Sequence, residues 1–246
     1  MTTRFSQIAH DGILLWNPLP EAATLALVDQ LPLGPGTRVL DVGCGQAELL
    51  IRLLARTGGT GVGIDSWPHA MTRARTAAAE RLTPGQLTLR DEAFDAAQFA
   101  AASFDVALCI GATHAIGDLR ATLTALHRLL APGGIAIIGE AHWMQDPAAD
   151  YLAFLGCSRE SVLSRENNVA VARECGFELA RDLVTTTADF ARYEDRYAAN
   201  VERFAAQHPN DPDAAPFLAR IRAWRSAYLR HGRDTLGFAL YVLRRA

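Results

Sequence analysis

No stretch of this sequence approaches the roughly 20 consecutive apolar residues that a helix needs to cross a bilayer. Its longest apolar runs, such as residues 13–16 and 135–138, fall far short, which excludes a helical membrane span. Basic blocks are missing as well: 24 Lys and Arg stand against 27 Asp and Glu, a net charge of -3, and the charges are scattered. That argues against a nucleic-acid partner. The opening residues 1–11 carry no charged segment followed by an apolar stretch, so no secretory signal is expected and the cytoplasm is the expected compartment. Cysteines are few, and Cys44, Cys109, Cys157 and Cys175 form no Cys-x-x-Cys pair. Neither a zinc knuckle nor a disulfide framework is indicated, and the thiols read as reduced, small apolar packing groups. What is present in quantity is apolar surface: half of the 246 residues are hydrophobic, enough to bury the core of one α/β domain spanning residues 1–246.

The hydrophobic pattern alternates between two periods. Residues 37–42 (TRVLDV), 61–65 (GVGID), 86–90, 104–110 (FDVALCI), 134–140 (GIAIIGE), 177–187 and 237–244 (GFALYVLR) read as seven strands. Between them, residues 48–55, 69–82, 119–130 and 166–175 read as helices, with Ala131-Pro132-Gly133-Gly134 as a breaker before the fifth strand. Strands alternating with helices call for an α/β, Rossmann-like, seven-stranded, mostly parallel sheet with helices on both faces. Residues 36–140 would form the binding core, and 166–187 and 237–246 would complete the sheet. Residues 141–165 and 188–236 interrupt the alternation and read as helical cap insertions, joined by the N-terminal residues 1–35. The first insertion leaves the C-terminal end of the fifth strand, the edge where open α/β sheets bind ligands, so it is placed to wall a pocket.

The segment VLDVGCGQA puts Asp41 at the end of a strand, then Gly43 and Gly45 where the chain must turn. A glycine-rich turn after a strand is by itself a weak signal, shared by several nucleotide-binding folds. Asp41 sharpens it: a carboxylate there would repel a pyrophosphate, whereas it suits a ligand bringing an ammonium and a sulfonium. Asp65 ends the second strand, where a carboxylate can accept hydrogen bonds from both hydroxyls of a ribose. The pair describes an adenosyl amino acid rather than a nicotinamide dinucleotide.

VLDVGCGQAEL, GVGID, FDVALCIGATHAIGD and LLAPGGIAIIGE, in this order and spacing, resemble the class I S-adenosylmethionine-dependent methyltransferases over about residues 36–140. The ends of the chain resemble, more loosely, a group of bacterial small-molecule methyltransferases. The resemblance implies S-adenosylmethionine as cofactor, with S-adenosylhomocysteine as its product. It makes Asp41, Gly43, Cys44 and Gly45 the site of the methionine end and Asp65 the ribose clamp, with Ser66 and Trp67 beside the adenine. Cys109 and Gly111 would lie under the cofactor. The acidic position for the adenine amino group falls in Asp91-Glu92-Ala93, with Glu92-Ala93 favoured by spacing and Asp91 the alternative. Ala47 replaces the family's third glycine, a position expected to govern close packing more than special backbone angles.

The sulfonium methyl is already activated, so transfer needs alignment above all. Where the acceptor is a hydroxyl or an amine a base must take a proton, and His114 is the first candidate, with Glu140 and His142 at the end of the fifth strand next. Trp143 would add an aromatic wall. Trp16, Tyr193, Tyr197, Trp224 and Tyr228 read either as pocket walls or as plain core, and His10 and His231 as surface or capping residues. CIGATH after strand four lacks the motif that stacks a flipped base, and there is no Pro-Cys nucleophile, so DNA bases are not the expected acceptors. No second Asp pair follows strand four, so no metal is expected. A small-molecule substrate is expected. The competing readings are an RNA or protein methyltransferase, and a fold that binds cofactor without transferring methyl, as a regulator, binding subunit or cyclisation catalyst.

Overall fold

The computed structural model describes residues 3–246; Met1 and Thr2, where the N-terminal signal reading begins, lie outside the described residues. Seven strands form one sheet: β1 (Arg38–Val42), β2 (Thr60–Ile64), β3 (Leu87–Arg90), β4 (Phe104–Ile110), β5 (Leu130–Trp143), β6 (Phe177–Val184) and β7 (Leu236–Arg245). Their order is β3-β2-β1-β4-β5-β7-β6, and the pairings from β3 through β5 are parallel. The chain therefore winds outward from β1 in both directions, and the order reverses between β1 and β4. In such sheets the carboxyl ends of the strands at the reversal form the ligand-binding crevice.

Two compact units divide the chain. One comprises residues 20–140, 166–183 and 239–246; the other comprises the N-terminal residues through Leu19, residues 141–165 and residues 184–238. In the sheet unit, β4 is buried along its centre, and Leu40, Val42, Ile64, Leu123, Leu126, Ile138 and Phe177 belong to one continuous core. The helices α2 (Glu21–Asp29), α3 (Glu48–Thr57), α4 (Pro68–Arg81), α5 (Leu119–Leu129) and α7 (Arg165–Glu174) follow in chain order around the strands. α3 buries Leu49, Leu50, Ile51, Leu53 and Leu54. It can lie close to the sheet because Gly61 and Gly63 of β2 have no side chains: a Cβ at Gly61 would stand 2.9 Å from Leu50 and 3.0 Å from Leu54. The glycines of GVGID are thus as much a packing device as a motif.

The second unit is helical, with α1 (Thr3–Ala9), α6 (Ala149–Leu155), α8 (Thr187–Gln207) and α9 (Ala214–Ala227). Phe5, Tyr197, Val201, Phe217 and Ile221 form its core. No helix among the described residues is long and apolar enough to cross a membrane.

Three expectations need correction. The Ala131–Gly134 segment does not precede the fifth strand but lies inside it: Leu130 pairs with Phe104, Ile135 with Val106, and the extra residues bulge out between those two rungs. β6 ends at Val184 rather than at 187. Thr186 instead caps α8 in a reciprocal box with Asp189, and Thr185 turns its hydroxyl onto the Phe238 carbonyl. His10 is not a surface residue, and its Nδ1 lies 2.9 Å from the Ser6 carbonyl in the last turn of α1, where a capping side chain would sit. It is buried, stacked on Trp16 with ring centroids 4.9 Å apart, and bonded to the Tyr193 hydroxyl at 2.9 Å.

Candidate functional site

Asp41, Gly43, Cys44, Gly45 and Asp65 come together where β1 and β2 end side by side. The Gly43 and Cys44 amides both donate to the Ile64 carbonyl, at 2.8 and 3.1 Å, which ties the first turn to the end of β2. Gly43 has φ 68° and Gly45 φ 54°, left-handed conformations that cost a side-chain-bearing residue free energy. At Gly43 space forbids a side chain as well, since a Cβ would collide with the methyl of Ala112 beyond the end of β4. Ala112, which nothing in a single sequence marks, is the wall against which the turn is pressed.

Asp65 joins the two loops. Its Oδ2 accepts from the Gly45 amide at 2.9 Å and its Oδ1 from the Trp67 amide at 2.8 Å. Each carboxylate oxygen offers two lone pairs, so both retain capacity for a further donor pair such as the vicinal hydroxyls of a ribose. Asp41 differs: the residue is 6% exposed, and burial first, then the neighbouring Asp65 charge, pushes its pKa up to about 8. A buried acid beside a second carboxylate is matched by a ligand that delivers positive charge. Two carboxylates and a turn that a Cβ would fill therefore suit a ligand cationic at one end and carrying a diol at the other.

The third-glycine position behaves otherwise than expected. Ala47 has φ 57°, so that place demands a left-handed backbone, and alanine meets it under strain in a fully buried setting. The Cys44 thiol packs toward Met71 Sδ at 3.8 Å, and burial pushes its pKa up.

Around this centre the other expected residues are distributed as follows. Ser66 is exposed, and Trp67 stands before α4 with its amide on Asp65. Past the end of β3, the exposed Asp91 pairs with Arg75 at 2.6 Å and the half-buried Glu92 with Arg90 at 3.5 Å, while Ala93 is exposed. Cys109 is fully buried in β4; its thiol is raised by burial and by the charges of Asp41 and Glu140, which brings those three residues of β1, β4 and β5 into one electrostatic neighbourhood. Gly111, with φ 68°, donates its amide to the Gly139 carbonyl at 2.8 Å. His114 is exposed on a single 3-10 turn, Thr113–Ala115, and Glu140 is half-buried. His142 belongs to the helical unit, where it is buried with Nε2 against Gly237; a Cβ there would stand 2.5 Å from it. Trp143 is committed to its own surroundings, its indole N–H donating to the Arg159 carbonyl at 2.9 Å. Among the described residues no group of three His, Cys, Asp or Glu side chains is placed to hold a metal.

Residues 33–175 match the methyltransferase domain family. The chain is 31% identical to the uncharacterized protein YjhP of Escherichia coli over 98% of its own length and 97% of that relative's. It is 28% identical to the 27-O-demethylrifamycin SV methyltransferase of Amycolatopsis mediterranei, covering 92% of this chain and 85% of that one. Among solved structures it is similar to a Geobacter sulfurreducens S-adenosylmethionine-dependent methyltransferase in complex with S-adenosylhomocysteine. The TM-score is 0.89 at 27% identity, over 99% and 98% of the two chains.

Proposed function

The chain belongs to the S-adenosylmethionine-dependent methyltransferases, and we propose that its acceptor is a small molecule that takes the methyl group by direct displacement. When bound, the cofactor supplies a methyl already activated on a sulfonium centre. Asp41, Gly43, Cys44 and Gly45 hold the amino-acid end in this reading, Asp65 holds the ribose hydroxyls, and Ser66 and Trp67 flank the adenine. Glu92-Ala93, or Asp91 in its place, meets the adenine amino group, and Cys109 and Gly111 floor the site. The observation that carries the assignment is the buried Asp41 carboxyl beside Asp65 at the end of β1.

Displacement asks the protein chiefly for alignment, so the chain's remaining chemical task is to manage the acceptor's proton. His114 is proposed as the group that takes it, being an exposed imidazole on the short turn after β4. Glu140, sharing its electrostatic neighbourhood with Asp41 through Cys109, orients or assists, and His142 is the alternative base. The rifamycin relative is named for an O-methyl transfer, which supports an acceptor whose oxygen must lose a proton. A small-molecule acceptor also accords with the slightly acidic, evenly charged chain.

Incubating the protein with methyl-labelled S-adenosylmethionine and a cell extract, then separating small molecules from macromolecules, tests the reading. Label accumulates in the small-molecule fraction, and His114→Ala lowers the rate of labelling by about a hundredfold if that residue acts as general base. Label confined to protein or RNA contradicts it.

A further inference from the structure

The helical unit contains a buried acidic centre to which the proposed function assigns no role. Glu194 of α8 is 6% exposed. Its Oε2 accepts the indole N–H of Trp224, from α9, at 2.8 Å. Its carboxyl acts electrostatically on four tyrosine hydroxyls, those of Tyr151, Tyr193, Tyr197 and Tyr228. Burial pushes the Glu194 pKa up to about 7, against the lowering effect of the Trp224 bond and of Arg225; Asp195 acts in the same direction as burial.

A finished core would satisfy its polar groups, and this one does not. The Tyr228 hydroxyl is buried without a hydrogen-bond partner, on a side chain 4% exposed. Tyr228 opens a one-turn π-helix, Tyr228–Gly232, which follows directly on α9, and its ring stacks on Phe190 at 5.6 Å. Such insertions re-aim side chains and recur at functional sites. The glycine closing that turn has a spatial cause: a Cβ at Gly232 would stand 2.5 Å from the Tyr151 hydroxyl. The Tyr193 hydroxyl is oriented too. His10 Nδ1 lies 2.9 Å from the Ser6 carbonyl and 3.0 Å from the Ser6 hydroxyl, and its Nε2 lies 2.9 Å from the Tyr193 hydroxyl, which fixes the direction of that phenol. In either tautomer the Tyr193 oxygen keeps at least one lone pair as an acceptor.

One carboxylate, several phenol oxygens able to accept, and aromatic rings around them form a chemical complement to an ammonium group. The charge meets the carboxylate and the ring faces, and the N–H groups meet the oxygens. We propose that Glu194, Tyr193 and Tyr228 form a binding site for a small molecule bearing a primary or secondary amine, held as its ammonium ion. The inference stands on the helical unit's own residues and goes beyond the methyl-transfer reading.

The test is calorimetric titration of the full chain, loaded with S-adenosylhomocysteine, with ethylamine, 2-phenylethylamine and tyramine, and with 2-phenylethanol as the neutral counterpart. At least one amine is expected to bind at least about tenfold more tightly than the alcohol. At pH 6 its binding releases a proton, read by repeating the titration in two buffers of different ionisation heat, because the ammonium drives Glu194 into its charged form. Glu194→Gln weakens amine binding about tenfold or more, while exposed Asp195→Asn leaves it within about twofold. If Glu194→Gln does not fold, Tyr228→Phe, which removes only the orphan hydroxyl, must weaken the amine at least threefold. Binding of amine and alcohol alike, no binding by any of the three amines, or unchanged amine affinity in both Glu194→Gln and Tyr228→Phe overturns the proposal. Binding of S-adenosylhomocysteine to the same samples reads the methyl-transfer assignment separately.

Discussion

Taking the Asp41 carboxyl out of water beside Asp65 is costly unless the group keeps its proton or meets a cation, and both carboxylates were legible because their types and places in the sequence already implied charge at the end of a strand. The backbone around them was less legible. Ala47 reads from sequence as a packing substitution, yet its φ of 57° shows a left-handed site occupied by alanine. Ala47→Gly should relieve that strain and raise stability by about 1 kcal/mol, the steric cost less glycine's greater freedom in the unfolded chain. Denaturant titration checks this, and destabilisation would show that the alanine methyl matters more through packing. Gly43→Ala should cost about 1–3 kcal/mol, because the same strain is joined by collision with Ala112; an unchanged denaturation midpoint would count against this. That collision could not be read from the sequence, since Ala112 lies far along the chain and nothing in its type announces a partner. His10 was misplaced for a similar reason, its burial depending on Trp16 and Tyr193 rather than on its immediate neighbours.

At the scale of elements, the seven strands were legible because parallel strands buried on both faces read as compact apolar runs, and β4 over Phe104–Ile110 is such a run. Boundaries set by hydrogen bonds were harder. The Pro-Gly-Gly segment reads as a breaker, but pairing of Leu130 with Phe104 absorbs it as a bulge. The end of β6 was displaced by the local chemistry of Thr185 and Thr186, whose hydroxyls take a cross-strand carbonyl and a helix cap. Thr186→Ala removes the acceptor for the Asp189 amide and should cost about 1 kcal/mol. Thermal unfolding measures it, and Thr186→Ser, which keeps the hydroxyl, should recover most of the loss. Equal stability of the alanine and wild-type proteins would show that the cap contributes nothing.

For the whole molecule, the helical unit takes residues 141–165 and 184–238, where the strand-helix alternation breaks in the sequence, whereas residues 20–35, expected to join the cap, lie in the sheet unit. The aromatic residues of the helical unit could not be sorted from sequence into core and pocket, because helical spacing of aromatics serves either. Stability of the chain should carry the mark of Asp41 in its pH dependence. The folded state holds that proton up to about pH 8, whereas the unfolded chain releases it near ~3.9. The stability so contributed is complete below the unfolded value, falls as pH rises, and is gone above about pH 8. Asp41→Asn, which mimics the protonated acid, should therefore gain on wild type steadily between about pH 4 and pH 8, as followed by urea denaturation; a parallel pair of curves contradicts the assignment.

The most direct test of the central claim is calorimetric titration of S-adenosylhomocysteine into wild type and Asp65→Asn, each first shown to be folded by its cooperative melting. Wild type is expected to bind, and the variant, with one carboxylate oxygen made a donor and its charge removed, to bind about tenfold more weakly or worse. A folded wild-type chain that does not bind, or an Asp65→Asn variant that binds equally well, would contradict that claim.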